Sequence, residues 1–507
     1  MRLGRFVRDR LLTDTGMLIG LGLAVLVLHI LTNGQYGFHR DELATLDDAR
    51  YLAWGYIAYP PLTPFIGRVA LTLFGPSMVG VRFFSALAEC AAIVLAGLMA
   101  REMGGRRWAQ LAAALAVAII PNALIQGALF MYVSFDYLWW VLLAYLVIRL
   151  LKSENPRWWL GIGLVIGLGV LTKYTIAYFV VGVVGAVLLT SARRYLRGPW
   201  LWAGAGLALL VASPNLIWQA QHGFISLEYL MIIHTRDIGL GRTSSFFIDQ
   251  FVACANIFTL PLWLAGLYMY FFTATGKRYR MIGWMYVIPI ALLIISQGRG
   301  YYATPVYPML LAGGAVFAEQ WMATLTPKRA QLVQATTWGV MALSGLLVGA
   351  VLLPIAPINS GLWKLDSQFH DDYEEELGWQ GLTHTVDQIY QALPASERAH
   401  TAILAGNYGE AGAIDLYGPA QGLPNVISAI NSYWARGYGD PAPETLILLG
   451  FSQSGAQNYF QSCQAAGTFP NPYHVKNEET TRWSTIYVCR GPRLPWPEMW
   501  QAMRHFG

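Results

Sequence analysis

Along the chain, apolar and polar positions divide the sequence into a long, predominantly apolar part and a shorter mixed one. Apolar runs recur at roughly 15–33, 78–100, 108–127, 135–151, 158–172, 175–191, 200–215, 250–272, 281–296, 303–320 and 332–354. A bilayer core takes about twenty such residues in a helix, so the pattern predicts about eleven transmembrane spans. Beyond residue 355 the pattern changes. A polar, acidic start, DSQFHDDYEEELGW, leads into alternating strand-like and helix-like pieces: TAILAG, GEAGAIDLYG, NVISAI, ETLILLG, AQNYFQSC and STIYVC. The expected fold is therefore mainly α, a polytopic helical bundle over 1–355 followed by a small α/β domain over 356–507 that is large enough for its own core. The stretch 34–77 belongs to neither pattern. Its RYLAWGYIAYPPLTPFIGRVALTLFG reads as an amphipathic segment lying in the membrane interface, with Pro60, Pro61 and Pro64 expected to stop the helix and turn the chain.

Composition supports the membrane reading. Hydrophobic residues make up 55% of the chain and charged ones 12%, about half the share of a soluble protein. The 19 Trp and 27 Tyr suit interfacial belts. The net charge of +5 matters less than where the cations fall. Arg2, Arg5, Arg8 and Arg10 open the chain; Arg101, Arg106 and Arg107, then Arg149, Lys152 and Arg157, then Arg193, Arg194 and Arg197, then Lys277, Arg278 and Arg280, then Lys328 and Arg329 occupy every second gap. The positive-inside rule places these gaps, and the N-terminus, in the cytoplasm. The residues around 34–77, Asp136, LTKYT, the loop 214–249, QGRGYYATPVYP and everything after 355 then lie outside. The first apolar run lacks a small-residue cleavage site and reads as a span. Cys463 and Cys489 are placed to pair in an oxidising compartment, whereas Cys90 and Cys254 read as buried singletons.

Topology gathers the candidate chemistry on the outer side. His39, Arg40, Asp41 and Glu42 follow the first span directly. Adjacent carboxylates suit general base chemistry, and the plainer alternative is a solvated loop with an Asp helix cap. Lys173 and Tyr174, in LTKYT, stand between two spans with almost no loop; the lysine either snorkels or meets a lipid phosphate as a point charge. In QGRGYYATPVYP, Arg299 is the candidate bidentate phosphate ligand, beside Tyr301, Tyr302 and Tyr307, with Gly298 and Gly300 admitting a ligand close to the backbone. Tyr59 is a further candidate contact. Asp136 reads first as a helix N-terminal charge and second as a site member. In 214–249, His222, Glu228, His234, Arg236, Asp237 and Arg242 are candidates for sugar or metal contact, although the histidine spacing matches no metal motif. Glu89 is the conspicuous mid-span acid. There is no P-loop, GxGxxG, HExxH or CxxC, so nothing points to nucleotide hydrolysis, and the energy of any reaction has to arrive with the substrate.

Taken together, RDEL…YLAWGY…PPLTP, LTKYT, GRGYYATPVYPMLLAGGA and NYGEAGAIDLYG…NSYW resemble the GT-C membrane glycosyltransferases. More narrowly they look like bacterial family 39, similar to the protein O-mannosyltransferases and the lipid A aminoarabinose transferases. The resemblance covers nearly the whole chain. It implies an inverting transfer of a hexose or pentose from a polyprenyl-phosphate donor to a glycan, lipid or protein acceptor at the outer face of the bacterial inner membrane. Asp41 maps onto the family's catalytic base and Glu42 onto the second acid. Lys173, Arg299 and Tyr302 map onto the residues that hold donor phosphate. The resemblance implies membrane lipids as partners and no nucleic acid; a divalent metal is compatible, but no ligand set requires one. The compact C-terminal segment differs from the β-trefoil of eukaryotic O-mannosyltransferases. Two other classes fit part of the pattern. A transporter or flippase for lipid-linked saccharides would carry internal repeats and mid-span charges, and a sensor would leave the external cluster unused.

Overall fold

The structure is a computed structural model that describes residues 13–370 and 372–507; the opening cluster Arg2, Arg5, Arg8 and Arg10 lies outside the described residues. The chain forms two compact units. One is built from the residues up to Asn33, Arg82–His222 and His234–Leu353, the other from Gly34–Val81, Gly223–Ile233 and Pro354–Gly507.

The first unit is helical. Among the described residues six helices are long and apolar enough to cross a membrane, and nine spans result if each of three bent helix pairs counts once. The bends have local causes. The apolar run predicted at 108–127 breaks into Arg107–Ala118 and Pro121–Ala128, inclined by 63°, because Pro121 starts a new helix and cannot continue the old ladder. The run at 250–272 is interrupted at Asn256, whose φ of 62° ends one segment and whose side chain caps the next. The span expected to end at 215 instead continues through Pro214 as Pro199–Gln221, and the supposed loop beyond it holds the helix Ile225–Gly239.

Small residues let these helices touch. A Cβ at Gly314 would collide with the Leu262 carbonyl and one at Gly266 with that of Leu310, so Leu260–Phe272 and Tyr307–Met322 pack backbone to backbone. Glu89 is buried and paired, its carboxylate 2.7 Å from His29 Nε2. The basic clusters converge on two acids. Glu102 binds Arg149 at 3.1 Å and Lys152 at 3.0 Å, and Glu154 lies 3.6 Å from Arg194 and 3.4 Å from Arg278. Three of the clusters read from the sequence therefore share one end of this unit.

The second unit contains a five-stranded sheet of order β2-β1-β3-β5-β4. Its strands are β1 (Thr401–Ala405), β2 (Val426–Ser428), β3 (Thr445–Leu449), β4 (Phe460–Thr468) and β5 (Thr485–Pro492). β1 runs parallel to β2 and β3, and β5 antiparallel to β3 and β4. Cys463 and Cys489 face each other in β4 and β5 and are joined by a disulfide. Leu404, Leu446, Leu448, Met499 and Trp500 fill the core on one side of the sheet. The prolines of the first-loop segment start a helix where they were expected to stop one. Pro61 caps Leu62–Phe74 and Pro64 lies in its first turn, where no intrahelical N–H is needed. Its exposed face carries Phe65, Leu73 and Phe74.

HRDE itself opens the helix Arg40–Arg50, which packs on the helix Tyr408–Tyr417. The close approach requires Gly412, where a Cβ would lie 2.7 Å from the Leu43 carbonyl carbon. Overpacking of this kind costs about 1–3 kcal/mol. Gly412→Val is therefore expected to lower the midpoint of thermal unfolding by several degrees; an unchanged midpoint would show that the two helices can separate at no cost.

Candidate functional site

Two groups of side chains, one in each unit, hold most of the candidates read from the sequence. In the helical unit Lys173 stands in the turn between Trp158–Val170 and Ile176–Leu189. Only 9% of it is exposed. Its ammonium faces three phenol rings, Tyr302 at 4.3 Å and Tyr132 and Tyr301 at 5.3 Å each. Tyr132 begins the helix Tyr132–Ser153, and the other two belong to the 3-10 turn Gly300–Val306. Ring faces attract a cation but accept no conventional hydrogen bond. Among the described residues no acceptor lies within hydrogen-bonding reach of Lys173 Nζ, while Asp136 and Arg299 act on it electrostatically. Asp136 is buried and accepts from Trp140 Nε1 at 3.0 Å and Thr175 Oγ1 at 2.8 Å. It is thus a fixed counter-charge and not the helix N-terminal charge expected from the sequence, because the helix begins at Tyr132 and its first turn holds no acid.

Arg299 is held from one edge. Its Nε and Nη2 donate to the two oxygens of Asp237 at 2.6 and 2.5 Å, so that edge of the guanidinium is engaged within the protein. Asp237 also lies 3.5 Å from Arg242 and 3.9 Å from Arg236. Three guanidinium groups around one carboxylate, with Lys173 nearby in charge terms, make this region net positive.

Other candidates in this unit have structural partners. Tyr174 donates to Asn215 at 3.0 Å and accepts from Gln219 at 2.8 Å, turned toward the Pro199–Gln221 helix. Tyr307 is fully buried and donates to Gln250. A Cβ at Gly300 would collide with Asp249, so that glycine accommodates a side chain of the protein and not a ligand. His222 stacks on Trp218 with ring centroids 4.0 Å apart. His234 is exposed on the Ile225–Gly239 helix.

In the second unit HRDE divides its labour. His39 is the N-cap, its Nδ1 accepting from the Asp41 amide at 3.1 Å. Glu42 is fully buried, and its Oε2 accepts from the His39 amide at 2.8 Å, so the second acid completes a capping box. Arg40 is buried among Glu478, Glu375 at 3.6 Å and Glu479 at 3.7 Å, with its guanidinium 4.9 Å above the Tyr408 ring. His39 and Arg40 thus anchor the helix and do not merely keep a loop solvated. Tyr59 donates to Asp48 at 2.8 Å and is likewise internal. Asp41 alone of the four is partly exposed. It occupies the first turn, where the free amides favour negative charge. Burial and the Asp41 charge hold the Tyr408 phenol well above its ordinary pKa.

Tyr132, Asp237 as the arginine clamp, and Tyr408 were not singled out by sequence reasoning for these tasks.

The sequence model of the dolichyl-phosphate-mannose-protein mannosyltransferases matches residues 58–218. A lipid A galacturonosyltransferase of Rhizobium johnstonii is 29% identical over 294 residues, covering 56% of this chain. The chain spans 60% of the length of that curated relative. The fold is that of ArnT from Cupriavidus metallidurans. The crystal structure with undecaprenyl phosphate superposes with a TM-score of 0.58 at 14% identity over 94% of this chain and 98% of that one. The apo form gives 0.59, again at 14% identity, over 93% and 97%. The arabinofuranosyltransferase AftD from Mycobacteria gives 0.54 at 14% identity over 93% of this chain and 40% of its own length.

Proposed function

We propose, from the similarity of this chain to the GT-C membrane glycosyltransferases, that it transfers a sugar from a polyprenyl-phosphate donor to an envelope acceptor at the outer face of the inner membrane. The observation that carries the reading is the Lys173 ammonium, buried against three tyrosine faces with no hydrogen-bond acceptor of its own among the described residues. Such a cation is worth its desolvation if an anion arrives, and a lipid phosphate is the anion a membrane supplies. Undecaprenyl phosphate, bound in the ArnT crystal structure, has that chemistry.

In the proposed reaction the acceptor hydroxyl oxygen forms a bond to the anomeric carbon while the bond from that carbon to the phosphate oxygen breaks, with inversion. Asp41 takes the hydroxyl proton. Lys173 and the free edge of Arg299 stabilise charge on the departing polyprenyl phosphate. Asp237 and Asp136 keep the two cations in place. Glu42, His39, Arg40 and Tyr59 support the helix that carries Asp41.

The topology that accompanies this reading has eleven crossings. The nine spans above are joined by Trp158–Val170 and Tyr307–Met322. The shorter of these covers only about 20 Å of helix, and the turns at its ends complete the crossing. The shared basic end then faces the cytoplasm and the residues after 355 lie outside.

The test uses purified protein in detergent, a panel of polyprenyl-phosphate sugars and an envelope lipid extract. Radiolabelled sugar is expected to move to the extract and to be competed by undecaprenyl phosphate. Binding of the donor without transfer, together with its passage across vesicle membranes, would favour a flippase and sink the transferase reading.

A further inference from the structure

The helix Ile225–Gly239 is divided between the two units: its residues up to Ile233 belong with the sheet and those from His234 with the other helices. Leu227, Leu230, Met231, Ile232 and Ile238 are exposed along it, so core packing fixes little of its position. Side-chain anchors near its two ends supply the rest. At the second end Asp237 holds Arg299 through both carboxylate oxygens. At the first, Ser226 donates to the Tyr56 carbonyl at 2.9 Å and Arg504 Nη2 donates to Glu228 at 3.1 Å. Phe506 meets the Tyr229 ring edge-on, with centroids 5.8 Å apart. The grip on Glu228 is built. Trp434 and Trp500 each donate an indole N–H to the other's carbonyl, at 3.2 and 3.0 Å. The Arg504 guanidinium lies over the Trp434 ring at 4.7 Å and over Phe506 at 5.0 Å. His505 bridges Ile430 beyond the end of β2, its amide donating to Ala429 at 3.2 Å and its carbonyl accepting from Asn431 at 3.3 Å. Among the described residues Arg504 Nε has no acceptor, and Glu228 is the hydrogen-bond partner of this guanidinium.

We infer that Arg504 is a positioning residue for Arg299, acting through Glu228 and the helix that carries Asp237. The inference rests on the reading of Arg299 as a ligand of the donor phosphate. Glu228 and Asp237 lie on one continuous helix. At about 100° and about 1.5 Å per residue, they project from opposite faces, about 14 Å apart along its axis. A helix pinned on opposite faces near its two ends can neither roll nor slide without disturbing one of the pins. Releasing Glu228 therefore frees the roll of the helix and with it the direction of Asp237, to which Arg299 is bound. A guanidinium that loses its fixed direction keeps its charge but meets a phosphate with fewer aligned donors, so the loss falls on donor binding and not on the bond-breaking step.

The experiment measures transfer from a polyprenyl-phosphate sugar on which the unaltered protein turns over, inhibition by undecaprenyl phosphate, and thermal unfolding. The variants are Arg504→Glu, Glu228→Arg, the double exchange, Asp237→Asn and Arg299→Gln. Arg504→Glu is expected to raise the donor KM and the inhibition constant about 3- to 10-fold and to leave kcat within about twofold, the factor that exchanging attraction for repulsion at one exposed pair yields. The unfolding midpoint is expected to stay in place. The double exchange is expected to bring both constants back to within about twofold, which an arginine serving only the fold would not do. In the Asp237→Asn background Arg504→Glu is expected to add nothing, because residues that act as a unit are not additive. If Arg299→Gln raises the two constants and Arg504→Glu leaves them unchanged, this inference is overturned and the reading of Arg299 survives. Constants that the double exchange fails to restore, a loss confined to kcat, or full additivity with Asp237→Asn would also overturn it. Unchanged donor affinity in Arg299→Gln would overturn the reading of Arg299 and this inference with it.

Discussion

Asp41→Asn is expected to reduce turnover by about 10²–10⁴-fold, the range general base catalysis contributes, while leaving donor affinity unchanged. The asymmetry follows from where the groups sit. Asp41 belongs to the unit that contains the sheet, whereas Lys173 and Arg299 belong to the helical unit, so an asparagine at 41 removes the proposed base and leaves the Lys173 and Arg299 group intact. The exchange is nearly isosteric, and the partly exposed Asp41 side chain plays no part in the capping box that His39 and Glu42 make. Folding is therefore expected to survive. Glu42→Gln is the contrasting control. Its carboxylate is fully buried and accepts the His39 amide, so its change is expected to cost about 1 kcal/mol of stability with turnover retained. Steady-state kinetics and thermal unfolding on the same samples separate the two. If Glu42→Gln abolishes transfer and Asp41→Asn does not, the roles of the two acids are reversed.

Much of this was legible in the residues. Period and length marked most helices of the first unit and the strands of the second, because burial in lipid or in a sheet core leaves a direct imprint on the pattern. The basic gaps could be read as one face, and Glu102 and Glu154 do gather three of them. What could not be read was set by long-range packing. Pro121 and Asn256 bend apolar runs that look continuous by hydropathy. HRDE reads as a polar loop because its helix is short and charged; Arg40 and Glu42 are buried by partners far along the chain and by the capping box. Tyr174 and Tyr307 resemble ligand tyrosines as strings, yet their hydroxyls are taken by Asn215 and Gln250. Tyr132 resembles an ordinary interfacial tyrosine, yet its ring forms one wall of the cage around Lys173. A tyrosine announces an aromatic ring and a hydroxyl; which of them is used depends on neighbours that sequence order does not reveal.

The Lys173 cage yields the sharpest test of the proposed phosphate site. An ammonium removed from water costs several kcal/mol, and cation–π contacts return about 0.5–2 kcal/mol each at best. Three ring faces and the remote Asp136 charge offset that cost only in part, so a purely structural position would be better served by an apolar side chain. Lys173→Met supplies one of similar length. It is expected to leave the unfolding midpoint unchanged or slightly raised, to weaken inhibition by undecaprenyl phosphate about 10–100-fold, and to lower turnover about 10²–10³-fold, as loss of one preorganised charge at a leaving group does. Lys173→Arg is expected to rescue little, because a planar fork does not fit a pocket shaped by three rings around a compact cation. A Lys173→Met protein that binds undecaprenyl phosphate normally would leave the cage without a ligand and remove the observation on which the transferase reading rests. A protein that unfolds on that substitution would show instead that the cation serves the fold, because a structural lysine, unlike a ligand-binding one, has stability to lose.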